Sequence, residues 1–233
     1  EGGRLVKGTR FENRRDAGNP QTTARAHNAQ GADELVLLDV TASREGREPD
    51  FETMARVAEE CFMPLTVGGG IASVEIALKA MECGADKIFV NAAAMDNPSL
   101  ISDLAERFGG QAIVAGIDIL TEGTDRTLFD HRTGEAVPDK GWREWIEQIV
   151  TFGAGEIRLM AVDREGTRTG MDTNLLADIE AMVTVPVILE GGAGNLADID
   201  KAMSEGARAV AVGTMLVFSD NNIIQIKRHL ANH

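Results

Sequence analysis

A gap-free internal repeat constrains this chain more than any other feature. The stretch "VGGGIASVEIALKAMECGADKIFVNAAA" at residues 67–94 returns at 189–216 as "LEGGAGNLADIDKAMSEGARAVAVGTML". One shift of 122 positions lays Gly69, Gly70, Lys79, Ala80, Met81, Gly84, Ala85 and Val90 over Gly191, Gly192, Lys201, Ala202, Met203, Gly206, Ala207 and Val212. The same shift lays "GADELVLL" (31–38) over "GAGEIRLM" (153–160) and pairs Glu34 with Glu156. Two matches at one offset point to a chain built from two similar halves.

Short apolar runs alternate with helical patterns throughout. The runs are 34–40, 63–67, 87–90, 111–117, 156–162, 185–189 and 207–212, and most are continuously apolar, as parallel strands covered by helices are. Helical spacing lies near 52–60, 73–83, 98–107, 141–152, 173–183 and 196–205. Ser73 with Glu75, and Asp172-Thr173 ahead of "NLLADIEAM", read as helix starts. No linker or composition break interrupts the pattern, so residues 1–233 read as a single domain. Strict β-then-α order leaves an open doubly wound sheet or a closed (β/α)8 barrel. The twofold repeat favours the TIM barrel, made of two half-barrels. Its first strand is then missing or truncated ahead of "GRLVKG", which reads as the end of that strand or a following hairpin.

Composition narrows the partners. No apolar run approaches the ~20 residues of a membrane span, and no leader pattern precedes the first strand-like run. Cys61 and Cys83 fall in helical patterns, which suits buried thiols in a reducing compartment, and a cytoplasmic location is expected. The net charge of −14 argues against nucleic acid. It leaves room for small phosphorylated ligands, which backbone amides hold without a basic surface. His27, His131, His229 and His233 are scattered, so no metal site is expected.

In a barrel of this kind, ligands bind where strands end and helices begin. "GGG" (68–70) and "EGGAG" (190–194) both stand at that point. A lone glycine run is more plainly a tight turn. A matched pair, each followed by a second turn at Asn91-Ala92 or Gly213-Thr214, predicts two phosphate cradles and a ligand phosphorylated at both ends. Asp118 ends the apolar run "VAGIDIL" at the same face. A cap or turn role is its plain alternative; its position selects it as the catalytic carboxylate.

The motifs "LVKGTRFENRRDAGNP", "DELVLLDVTAS", "PLTVGGGI", "NPSLI", "GAGEIRLMAVDREGTRTGMD" and "GGAGNLADI" together resemble the cyclase subunit (HisF-type) of imidazole glycerol phosphate synthase. The resemblance covers nearly the whole chain. It implies that ammonia from a glutaminase subunit (HisH-type) attacks a bisphosphorylated ribulosyl-formimino carboxamide ribonucleotide. The products are imidazole glycerol phosphate and an aminoimidazole carboxamide ribotide. No metal or redox cofactor and no membrane are involved. Two aspartates share the proton transfers in the family: one maps onto Asp118, and the other is expected just before Glu1. Lys7 resembles a lysine on a mobile loop that closes over substrate, and Asp39 would sit at the mouth. Phosphate contacts map onto Gly70 and Asn91 in one half, and Gly192 and Thr214 in the other. Glu34, Lys87 and Glu156, each at the start of a strand, resemble a charged ring that gates ammonia.

Relatives from surface-sugar (lipopolysaccharide) amidation clusters share these motifs, so the alternative is an ammonia-channelling subunit without cyclase activity. The chain departs from the family pattern at five positions. Glu190 replaces a small residue, Met160 and Ala92 replace threonines, Glu165 an aspartate, and Phe89 a small polar residue. Glu190 beside a phosphate cradle is expected to be paired or to point away.

Overall fold

The computed structural model describes residues 1–232. The chain opens with a hairpin of β1 (Leu5–Thr9) and β2 (Glu12–Gly18), turned through Arg10 and Phe11, both at positive φ. Helix α1 (Pro20–Ala29) follows. Proline at its first turn and the Asn19 side chain, accepting the Thr22 N–H, start it. The β–α alternation then runs β3 (Leu35–Leu38), α2 (Ala42–Glu45), α3 (Phe51–Ala58), β4 (Leu65–Gly68), α4 (Val74–Glu82), β5 (Lys87–Val90), α5 (Ala92–Asp96) and α6 (Ser99–Phe108). A long strand β6 (Ile113–Glu122) leads into β7 (Asp125–Asp130), β8 (Glu135–Val137) and α7 (Trp142–Thr151). The alternation resumes with β9 (Glu156–Ala161), α8 (Thr173–Glu180), β10 (Val187–Glu190), α9 (Leu196–Ser204), β11 (Ala209–Ala211), α10 (Thr214–Val217) and α11 (Ile223–Leu230). This is the (β/α)8 TIM-barrel fold class.

Two compact units divide the chain. The first comprises Glu1–Val6, Asp16–Ala115 and Thr151–Gly155. The second comprises Lys7–Arg15, Gly116–Val150 and the chain from Glu156 onward. Within the first, β3, β4, β5 and the start of β6 pair in parallel, with Leu35 opposite Leu65, Thr66 opposite Lys87, and Ile88 opposite Ile113. Within the second, β9, β10 and β11 pair in parallel, with Val187 opposite Ile157 and Ile188 opposite Ala209. The end of β6 folds back on β7, and β7 on β8, as an antiparallel meander. The apolar runs go with burial most fully in β4 and in β9 from Ile157 onward, where every residue is buried, whereas β3 and β11 are half-buried.

The sequence repeat is a repeat of conformation. Adding 122 to the bounds of α3, β4 and α4 gives those of α8, β10 and α9. Asp50 and Asp172 both cap the N-terminus of their helix, accepting the N–H of Thr53 and Leu175. Ser73 and Asn195 do the same for α4 and α9. Gly46 stands at φ 62°, and at its counterpart Arg168 adopts φ 59°, a left-handed conformation with no glycine to ease it.

The structure differs from the sequence reading in places. Asp118 does not end its strand: β6 continues four residues beyond it, because Gly123 at φ 63° makes a two-residue turn into β7. Glu34 lies one residue before β3 rather than within it. Cys61 follows the end of α3 and Cys83 caps α4, and both free thiols are half-buried rather than buried. Among the described residues no helix is long and apolar enough to cross a membrane.

Candidate functional site

In the first unit the glycine turn follows β4. Gly69 and Gly70 have φ of 85° and 79°, a region where side chains are strained. A Cβ on Gly69 would collide with the Asp39 carbonyl, and one on Gly70 would lie 2.7 Å from the Arg47 carbonyl. Gly70 donates its N–H to Ser43 Oγ at 3.0 Å, so this amide is aimed at an oxygen acceptor. β5 pairs beside β4, which brings its end, the buried Asn91 at the start of α5, to the same end of the sheet.

Asp39, at the end of β3, is committed to this loop. Arg47 grips its carboxylate with both terminal nitrogens, at 2.7 and 3.1 Å. The N–H groups of Thr41, Ala42 and Asp50 and the Thr41 hydroxyl complete its shell. Burial pushes this carboxyl up, yet Arg47 and the Thr41 and Asp50 amides together outweigh burial and hold it below the usual carboxylate range. Asp39 therefore positions the loop that Gly69 packs against.

The second unit repeats the turn after β10. Gly191 and Gly192 have φ of 100° and 92°; a Cβ on Gly191 would sit 2.6 Å from the Ala161 carbonyl, and one on Gly192 would strike the Gly170 carbonyl. Thr214 opens α10 after β11, the strand paired beside β10. The Lys7 ammonium packs against Gly213, leaving no room there for a Cβ. A lysine from the N-terminal hairpin thus stands at Gly213, one residue before Thr214, at the end of the strand beside β10.

That hairpin tip is latched to the turn after β9. Phe11 donates its N–H to Glu165 Oε2 and Arg10 donates its N–H to the Glu165 carbonyl, both at 3.0 Å, while Arg10 Nε reaches the Asp163 carbonyl at 3.1 Å. Burial pushes the Glu165 carboxyl up by more than the Phe11 amide and the Lys7 ammonium pull it down, and the Glu190 carboxylate adds to the rise. Phe11 also packs on the buried cluster of Phe129, Met160 and Val162.

Glu190 is paired. Its carboxylate meets the Arg158 guanidinium. Register places Ile188 opposite Arg158 and Glu190 opposite Met160, so Arg158 and Glu190 are diagonal neighbours on one face of the β9–β10 ladder. Arg158 is 8% exposed. The carboxylate beside the second glycine turn is thereby neutralised. The other departures are also met by local contacts. Met160 fills the cluster under Phe11, Phe89 lies over Gly68, where a Cβ would be 2.7 Å from the ring, and Ala92 is buried at the start of α5.

Asp118 lies between the last parallel pair of β6, Val90 opposite Ala115, and its first antiparallel pair, Ile119 opposite Leu128. It is 5% exposed, and His131 Nδ1 lies 3.4 Å from its Oδ2. The scattered histidines gave no hint of this; only the hairpin turn at Gly123 could have suggested it. At the opposite ends of the strands, Lys87 Nζ holds both oxygens of Glu34 at 3.0 Å in the first unit. Glu156 starts β9 in the second. The aspartate expected before Glu1 falls outside the sequence.

Comparison with known proteins places the chain. The family described as "Histidine biosynthesis protein" matches residues 1–222. The chain is 43% identical over 230 residues to the imidazole glycerol phosphate synthase subunit HisF of Streptomyces griseus, covering 97% of this chain and 90% of that protein. It is 45% identical over 229 residues to the subunit of the same name from Chloroherpeton thalassium, covering 98% and 91%. With the HisF subunit of Hyphomonas neptunium it shares 43% over 230 residues, covering 98% and 91%.

Proposed function

The chain belongs to the histidine biosynthesis protein family, and from that premise we propose that it is the cyclase-type subunit of imidazole glycerol phosphate synthase. It takes ammonia and a bisphosphorylated ribulosyl-formimino carboxamide ribonucleotide to imidazole glycerol phosphate and an aminoimidazole carboxamide ribotide. One observation carries the reading: the same strained glycine turn recurs at Gly69-Gly70 and Gly191-Gly192. A ligand with a phosphate at each end needs two such cradles. The synthase name of the relatives favours this reading over sugar amidation.

The residues take the following roles. Gly70 and Asn91 hold one phosphate; Gly192 and Thr214 hold the other, with the Lys7 ammonium closing over it. Lys7 is suited to this because the latch between Phe11 and Glu165 fixes its hairpin. Asp118 removes and returns protons during ring closure, its strand holding the carboxylate in place. Asp39 shapes the first cradle from beneath. Glu34, Lys87 and Glu156 handle ammonia at the strand beginnings, and a glutaminase-type subunit is the partner that supplies it. A single domain in the cytoplasm is the setting this activity implies.

The test is turnover of the bisphosphorylated substrate by the purified protein with excess ammonium at alkaline pH and no partner. Formation of both products supports the reading. A folded protein that forms neither product overturns it.

A further inference from the structure

The inference rests on the reading of Asp118 as the proton-transferring carboxylate, and it concerns the group beside that carboxylate. We propose that His131 is the positioning residue of Asp118: its ring N–H holds one carboxylate oxygen, so that the other is presented to the reacting atom. The β6–β7 hairpin makes the meeting possible. β7 ends at Asp130, and the next residue turns its Nδ1 to 3.4 Å from Asp118 Oδ2. The distance is long for a hydrogen bond, as catalytic contacts often are before substrate tightens them.

The imidazole is confined from the other side. The Phe11 ring stands edge-on to it, with centroids 6.4 Å apart, and Phe11 is itself held by Phe129 and by its amide bond to Glu165. Two other charged groups lie close, and they answer each other. Arg132 engages the Asp130 carboxylate through its guanidinium and its backbone N–H, at 2.7 to 3.1 Å. That carboxylate is engaged chiefly by Arg132, with His131 a lesser electrostatic neighbour, while the His131 Nδ1 lies 3.4 Å from Asp118 Oδ2. A carboxylate left to rotate about its Cβ–Cγ bond spends part of its time misaligned for proton transfer, and misalignment of a reacting group is costly in rate. A ring donor fixed by an aromatic edge removes that freedom. Because Phe11 sits at the tip of the hairpin that carries Lys7, that latched hairpin also steadies the histidine.

The test has two arms, run on the full chain. In ammonium-dependent turnover, His131→Ala is expected to lower kcat about tenfold, a modest share of the ~10²–10⁴-fold a positioned acid–base group provides, with KM and Tm unchanged. His131→Asn, whose amide N–H can take the place of Nδ1–H, is expected to recover kcat to within about threefold of wild type. No loss in His131→Ala, an equal loss in both variants, or a change in KM alone overturns the proposal. The second arm needs no turnover. Nitrogen-15 NMR of the imidazole is expected to show Nδ1 as the protonated ring nitrogen in the wild type, and to lose that signature in folded Asp118→Ala. Identical spectra overturn the pairing. If the wild type itself makes no product, the catalytic reading of Asp118 fails, and the spectra alone still decide whether His131 holds it.

Discussion

The pair formed by Arg158 and Glu190 offers a sharp quantitative test. The two side chains are 10% and 15% exposed, sit diagonally on one face of β9 and β10, and lie next to the second glycine turn. Replacing Arg158 by Leu keeps an apolar stem but leaves Glu190 buried without its cation. Removing one partner of a buried pair costs about 3–5 kcal/mol. For a chain of this length each kcal/mol corresponds to about 2–4 °C in Tm, so Arg158→Leu should unfold about 6–20 °C earlier. Removing both charges as Arg158→Leu/Glu190→Ser discards the desolvation cost along with the attraction, and its stability should return to within about 1–2 kcal/mol of wild type. Urea unfolding of the wild type, both single variants and the double variant measures the coupling directly. Substrate affinity should follow the same order, since only Arg158→Leu leaves an uncompensated carboxylate beside Gly192. Two small single losses that simply add in the double variant would refute the reasoning.

Other consequences follow from named contacts. Gly191→Ala forces a side chain into φ 100° and toward the Ala161 carbonyl; it should cost about 3 kcal/mol and weaken phosphate binding in calorimetry, whereas Gly123→Ala, in an exposed turn open around its Cα, should leave binding intact. Glu165 has its carboxyl raised by burial, so the folded state binds its proton more tightly than the unfolded chain does. Its contribution is full below the unfolded carboxyl range and is lost as pH rises through the raised value. Glu165→Gln, which stays neutral, should therefore lose less Tm than wild type as pH rises above the ordinary carboxyl range; parallel curves would contradict the assignment. Asp39 is the opposite case, its carboxyl held down against burial by Arg47 and backbone amides. It stabilises above the unfolded carboxyl range and ceases to do so as pH falls through its lowered value, so Asp39→Asn should flatten the acid limb of the stability profile.

Much of this architecture can be read from the sequence because its signals are local. The strands announce themselves as apolar runs, and Asp172 and Ser73 mark helix starts through side chains that cap the third residue on. The repeat carries through because its two copies differ by no insertion between 67–94 and 189–216. What escapes notice depends on register. Arg158 is one charge inside an apolar run, and its meeting with Glu190 exists only once β9 and β10 pair with Ile188 opposite Arg158. Glu190 beside a phosphate cradle calls for a partner, but which residue supplies it emerges only from that register. His131 is separated from Asp118 by a hairpin whose strand continuation, "ILTEG", lacks the long apolar run of the others. The Phe11–Glu165 latch joins residues 154 positions apart, a contact that no spacing rule could propose.

The most direct test of the account compares wild type with Asp118→Asn in ammonium-dependent turnover at saturating substrate. The side chain changes little in shape, so the glycine turns and the fold should be preserved. The account predicts an unchanged KM and a kcat lowered at least about a hundredfold, the scale of a lost general acid–base group. Near-normal turnover in Asp118→Asn would contradict the assignment of this strand carboxylate as the proton-transferring group.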